Sequence, residues 1–252
     1  MLNTPEIPET PGESNDNFNQ MKLLAIGDIH GRTIWKKIVA KERADRIIFL
    51  GDYFDSREDI TCSEELRNFE SILSFKERFS EKVVLLFGNH DLHYIINEQY
   101  SGFRYSCQKP IQEIIHNALQ KNLMQMCFSM HSFLFSHSGV TKTWYQSQFG
   151  EEYVQSDMVC DFVNKLFRKQ PDAFRFTVGP NCDFSGDDIT QPPTWVRPAS
   201  LLADKLDGYI QIVGHTTQTS LAIIDKVAFA DTLGTSGEYL IIIDDVLKAG
   251  RL

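Results

Sequence analysis

Three apolar runs of strand length, Leu23 to Ile26, Arg46 to Leu50 and Val83 to Phe87, each end in a glycine and a ligand-type side chain. The sequences that follow are Gly27-Asp28-Ile29-His30-Gly31, Gly51-Asp52-Tyr53-Phe54-Asp55 and Gly88-Asn89-His90-Asp91. Runs that stay apolar instead of alternating mark strands buried on both faces, as in a parallel sheet. In such a sheet the residues after each strand meet at one edge, so Asp28, His30, Asp52 and Asn89 are expected to converge. Later in the chain Phe133 to Phe135 runs into Ser136-His137-Ser138-Gly139, and Tyr209 to Val213 runs into Gly214-His215-Thr216-Thr217. Convergent carboxylate, amide and imidazole donors imply a metal site, and a mixed oxygen and nitrogen set suits manganese, iron or zinc better than calcium.

The segments between these runs read as crossover helices. Ile34, Trp35, Ile38 and Val39 have helical spacing, and Thr61 with Glu64 forms a capping box that opens a second helix through Leu66, Phe69, Ile72, Leu73 and Phe75. Pro110 fits the first turn of a helix carrying Ile111, Ile114, Ile115 and Leu119. Residues 124–128 and 132–136 are expected to form a hairpin, and a helix-like stretch is expected over Tyr153 to Phe167. Strands over 209–213, 220–224, 227–230 and 238–243 are expected to close a second, antiparallel sheet.

At 252 residues, with 42% hydrophobic and 23% charged residues, the chain suits one α/β domain. Residues 1–20 hold Pro5, Pro8, Pro11 and four acidic side chains with no basic one, which predicts a disordered tail before a domain over 21–252, with Met21 a candidate start. A Pro-rich, loop-rich insertion over about 150–198 is placed to cap the cleft, offering Arg168, Arg175, Arg197, Phe174 and Trp195. A net charge of −9 argues against nonspecific nucleic acid binding. No apolar run reaches the roughly 20 residues that span a bilayer, and the odd set of five cysteines has no CxxC pair. The expectation is a cytoplasmic protein with free thiols and no membrane association.

Taken together, GDxHG, GDxxD and GNH(D/E) followed by two separated histidines resemble the calcineurin-like metallophosphoesterases, and within them the phosphoprotein phosphatases and diadenosine tetraphosphate hydrolases. The resemblance covers residues 22 to about 149 and 208 to 244. It implies a four-layer αββα sandwich of two mixed β-sheets flanked by helices, with two divalent metal ions, manganese ahead of iron or zinc. Asp28, His30 and Asp52 are implied to hold one ion, and Asp52, Asn89, His137 and His215 the other. His90 is implied to act as general acid with Asp91 as its carboxylate partner.

Two departures from the family pattern bear on substrate. Gly214-His215-Thr216-Thr217 lacks the second histidine of a GHxH motif, which favours the phosphatase-like branch. Asp55-Ser56-Arg57 displaces by one residue the arginine that clamps phosphate in that branch, leaving Arg57 a candidate for the role. His93, three residues beyond His90, is expected to line the cleft. Asp231 reads as an ordinary turn opening before Thr232-Leu233-Gly234, and Trp144 and Trp195 read as packing residues. The expected function is hydrolysis of a phosphorylated substrate, a phosphoprotein or small phosphate monoester, by attack of a metal-bridging hydroxide. The alternatives are a hydrolase of dinucleoside polyphosphates and a non-catalytic scaffold of the same fold.

Overall fold

The computed structural model describes residues 21–150 and 158–252. The tail expected over 1–20 and the first residues of the helix expected from Tyr153 lie outside the described residues. Strands β1 (Lys22–Ile26), β2 (Arg46–Phe49) and β3 (Val83–Leu86) alternate with helices α1 (Trp35–Glu42) and α2 (Cys62–Arg78). Helices α3 (Asn89–Ile96) and α4 (Gln108–Gln120) then lead to β4 (Met124–Gln125), β5 (Cys127–Met130) and β6 (Phe133–Ser136). The rest comprises α5 (Lys142–Phe149), α6 (Val159–Lys169), α7 (Pro198–Asp204), β7 (Ile210–Val213), β8 (Ala222–Ile224), β9 (Val227–Phe229), β10 (Tyr239–Ile243) and β11 (Val246–Gly250). The capping box of α2 forms as its sequence demands: Glu64 N donates to Thr61 Oγ1, and Thr61 N donates to Glu64 Oε2 at 2.8 Å.

Two mixed sheets result, one in the order β11-β10-β1-β2-β3-β4 and one in the order β5-β6-β7-β9-β8. Alternation along the strands shows how they stack. Leu23, Ala25, Ile48, Leu50, Val84 and Leu86 face Phe133, Phe135, Ile212 and Ala228 of the other sheet in one buried cluster. Their neighbours Leu24, Ile26, Ile47, Phe49, Val83 and Leu85 point the other way, into a core built with Trp35 and Ile38 of α1, Phe69 and Ile72 of α2 and Ile111 and Ile115 of α4. On the far side of the second sheet Val213, Val227 and Phe229 pack against Leu201 of α7. The layers therefore run helix, sheet, sheet, helix, and the central strands are buried on both faces, which is why they read as unbroken apolar runs.

Three expectations change. Residues 124–128 do not form one strand of a hairpin: β4 pairs parallel with β3, the chain changes sheets at Met126, and only β5 pairs antiparallel with β6. Asn164 Oδ1 accepts from Met126 N and Cys127 N, which holds the crossing. The second sheet is not antiparallel, because β7 runs parallel to both β6 and β9, and β10 leaves it to pair antiparallel with β1. Finally, not all five cysteines are free thiols: Cys62 and Cys107 are joined in a disulfide that ties the start of α2 to the start of α4. Among the described residues no helix is long and apolar enough to cross a membrane.

The segment that precedes α7 is packed into the body of the fold. Phe174 is fully buried in the main core, and Ser138 N donates to Pro193 O at 2.8 Å, beside His137. Arg168 borders a small cavity beside Leu119 and Asn164, and Arg175 faces Glu98 at 3.7 Å. Trp195 and Arg197 reach the main cavity described below.

Candidate metal centre and active site

The parallel strands of both sheets end at a common edge, where backbone hydrogen bonds join the loops that follow. Gly214 N donates to His137 O at 2.7 Å, and His137 Nδ1 donates to Leu50 O at 2.8 Å. The glycines that precede the ligand-type residues make room for carboxylates. A Cβ on Gly88 would lie 2.0 Å from Asp52 Oδ1, and one on Gly214 would lie 2.2 Å from Asp28 Oδ1. His30, Asp52, Asp55 and His215 all hold positive φ, between 40° and 64°. For side chains other than glycine that costs about 1–3 kcal/mol each, so the surrounding packing imposes these conformations.

Backbone amides aim the carboxylates. His90 N holds Asp52 Oδ1 at 2.9 Å and His215 N holds Asp28 Oδ1 at 3.0 Å, so each Oδ2 is left for the site. Asp52 Oδ2 stands 3.7 Å from His30 Nε2 and 3.4 Å from His137 Nε2, between the two halves of the expected ligand set. Ligand atoms of Asp28, His30 and Asp52 all fall within 4.8 Å of one another. On the other side, Asn89 Oδ1 is 2.9 Å from both His137 Nε2 and His215 Nδ1. Asp28, His30, Asp52, Asn89, His137 and His215 are thus brought together as expected from their motifs.

These residues fit divalent cations. His30 Nδ1 is occupied by Phe54 O at 2.6 Å and His137 Nδ1 by Leu50 O, so both rings present Nε2 as a lone pair. For His137 that lone pair faces the carbonyl oxygen of Asn89, two acceptors at 2.9 Å that a shared cation would reconcile. Burial, together with repulsion from Asp231, pushes the Asp28 carboxyl well above the usual range, and burial with repulsion from Asp28 does the same to Asp52. Burial also lowers His30 and His137 to about 3, keeping both rings neutral as ligands must be.

The partner of His90 is not the expected one. Asp91 is fully buried, and its carboxylate accepts from Asp52 N, Gly88 N and Tyr53 N at 2.8 to 2.9 Å, tying the loop after β2 to the start of α3. Instead Asp55 Oδ2 lies 3.0 Å from His90 Nδ1, and Tyr94 OH donates to Asp55 Oδ1 at 2.6 Å. His93 does not line the cleft: it is fully buried, with Nε2 2.7 Å from Asp55 Oδ2 in a contact off the ring N–H axis. Its turn of α3 faces Tyr94, Tyr100 and Phe103. Burial opposes ionisation of Asp55, but the hydrogen bonds from His90 and Tyr94 and the close approach of the His93 ring outweigh it and bring the carboxyl down to about 2.

A cavity of about 760 Å³ opens over this edge, lined by Asp28, His30, Asp52, Asn89, His90 and His215 at its base. Arg57 lines it, as do Arg32 and Arg197. Arg32 donates to Asp28 O at 3.3 Å and to Glu58 at 2.6 Å, with its guanidinium packed on Gly234.

The calcineurin-like phosphoesterase family pattern matches residues 21–217. This chain belongs to that family. It is 25% identical over 189 residues to the serine/threonine-protein phosphatase 4 catalytic subunit of Eremothecium gossypii, covering 73% of this chain and 54% of that one. The chain therefore spans about half the length of the curated relative it matches. The cold-active protein-tyrosine phosphatase of a psychrophilic Shewanella species superposes with a TM-score of 0.59 at 18% identity, covering 92% of this chain and 78% of that chain. A Saccharomyces cerevisiae protein serine/threonine phosphatase with similarity to human phosphatase PP5 superposes at 0.53 and 14% identity, covering 94% and 82%. At these identities the two structures show a shared fold.

Within this calcineurin-like phosphoesterase, Thr217 stands where a GHxH motif would carry its second histidine. Its hydroxyl donates to Asp231 Oδ2 at 2.8 Å, and Asp231, only 5% exposed, lines the cavity. The turn-former reading of Asp231 missed that position. Sequence reasoning also passed over Asp55, whose only signal was its place as the last residue of GDxxD, and Arg32, which carried none.

Proposed function

We propose that this chain is a dinuclear-metal phosphomonoesterase acting on a phosphoprotein or a small phosphate ester. The observation that carries the reading is a single cavity lined by Asp28, His30, Asp52, Asn89 and His215 together with His90, whose ring is held by Asp55, and by three arginines. Two divalent cations, manganese, iron or zinc, would supply charge to the phosphoryl group and an activated water. Asp28, His30 and Asp52 would hold one of them, and Asn89, His137 and His215, with Asp52 between the two groups, would hold the other. Arg57 and Arg32, which line the same cavity, would bind phosphoryl oxygens. Asp55 holds the His90 ring through Nδ1, leaving Nε2 to hold the proton that the departing alkoxide takes up. The phosphatase names of the relatives support the same reaction class.

Turnover of the metal-loaded protein on p-nitrophenyl phosphate, phosphopeptides and a dinucleoside tetraphosphate tests the reading. Release of inorganic phosphate from monoesters is the expected result. Cleavage confined to the polyphosphate would favour the anhydride hydrolase, and no turnover with full metal occupancy would leave a scaffold.

A further inference from the structure

Resting on the monoesterase reading, the wall of the cavity defines what the phosphate is attached to. Trp195 is the centre of an aromatic group. Its ring lies 5.8 Å from that of His215 at 80°, 4.6 Å from Tyr100 at 71°, and 5.4 Å from Phe176 at 66°. Tyr100 continues the group over His93 at 6.0 Å, nearly parallel to it, and Phe176 N donates to the Tyr100 hydroxyl at 3.1 Å. Phe184 lines the same cavity fully exposed, with a relative accessibility of 105%.

The placement of these rings is tied to the reaction. Residues 101–102, directly after Tyr100, border His90: a Cβ on Gly102 would meet the His90 ring at 3.1 Å. Tyr100 and Trp195 line the same cavity as His90, so a leaving group that departs toward His90 shares that cavity with both rings. The guanidinium of Arg32, by contrast, belongs to the neighbourhood of Asp28 and Gly234, where phosphoryl oxygens would lie. The aromatic group begins at the ring of His215 itself, with no intervening polar layer.

We infer that Tyr100, Phe176, Phe184 and Trp195 form a subsite for an aryl group bonded directly to the ester oxygen, so that the preferred substrates are aryl phosphates of the phosphotyrosyl kind. A seryl or threonyl phosphate brings only a short aliphatic stem to these rings. A nucleoside monophosphate brings a flat base, but the ribose holds it one sugar away from the ester oxygen. Edge and offset contacts to aromatic rings contribute about a 2- to 10-fold preference per ring.

The test compares kcat/KM of the metal-loaded protein for one peptide carrying phosphotyrosine or phosphoserine, and for adenosine 5′-monophosphate, in wild type, Phe184→Ala and Trp195→Leu. Using the ratio between variants cancels the greater intrinsic reactivity of the phenolic ester. The phosphotyrosine to phosphoserine ratio is expected to fall about 2- to 10-fold in each variant. Calorimetry should show phenylphosphonate binding more tightly than methylphosphonate to wild type, with the gap closing in the variants. A ratio and a binding gap unchanged by both substitutions, with turnover intact, would overturn the subsite while leaving the monoesterase reading in place, and so would a preference for adenosine 5′-monophosphate. Failure to hydrolyse any of the three esters would overturn both.

Discussion

The Asp55 carboxylate lies 3.0 Å from His90 Nδ1 across 35 residues of sequence, while the adjacent Asp91 is turned inward onto backbone amides. The two acids beside the same histidine motif therefore do different work, and substitution separates them. Asp55→Asn should reduce kcat by about 10²- to 10⁴-fold, the range associated with misoriented acid-base groups, with metal content unchanged. The loss should shrink for p-nitrophenyl phosphate, whose leaving group needs no proton. Asp91→Asn leaves one carbonyl oxygen to serve three buried N–H groups and should instead cost about 1–3 kcal/mol of stability for each donor left unpaired, read as a lower Tm.

The same carboxylate predicts a pH dependence. Asp55 is down to about 2 in the folded state, against about 3.9 for a free side chain. Between those values the unfolded chain binds more protons, so the stability it supplies is complete above about pH 4 and is lost as pH falls toward 2. The difference in unfolding free energy between wild type and Asp55→Asn, measured by urea titration of metal-free protein, should approach about 2 kcal/mol near neutrality. It should narrow below pH 4. A difference constant with pH would show that Asp55 is not ionised through these hydrogen bonds.

Asp52 Oδ2 stands between His30 Nε2 and His137 Nε2. Asp52→Asn removes the charge from that shared position and should lower occupancy at both metal sites, measured by elemental analysis after dialysis. Retention of both ions with near-normal turnover would contradict the bridging placement.

Gly88→Ala and Gly214→Ala test the packing that aims the carboxylates. Each new methyl would sit within 2.2 Å of a carboxylate oxygen, of Asp52 and of Asp28 respectively. Metal affinity should fall at least 10-fold, on the scale of lost ligand orientation, while the circular dichroism of the folded protein changes little.

What the sequence by itself determined was local and one-dimensional. The buried parallel strands β1 to β3 were legible because burial on both faces removes polar alternation, and α2 because Thr61 and Glu64 close their capping box within four residues. The metal-ligand set was legible because every member follows a strand end, and parallel strands carry their ends to the same edge. The tertiary structure alone decided which strands share a sheet, as when β10 leaves the expected second sheet to pair with β1, Lys22 opposite Ile243, with β11 added beyond it. It also decided that Asp55 and not Asp91 holds His90, that His93 turns into the core, and that Trp195 faces the cavity while Trp144 is buried. These outcomes depend on which side chains fill the space between distant segments. Apolar periodicity and turn chemistry act over a few residues and carry no information about that space.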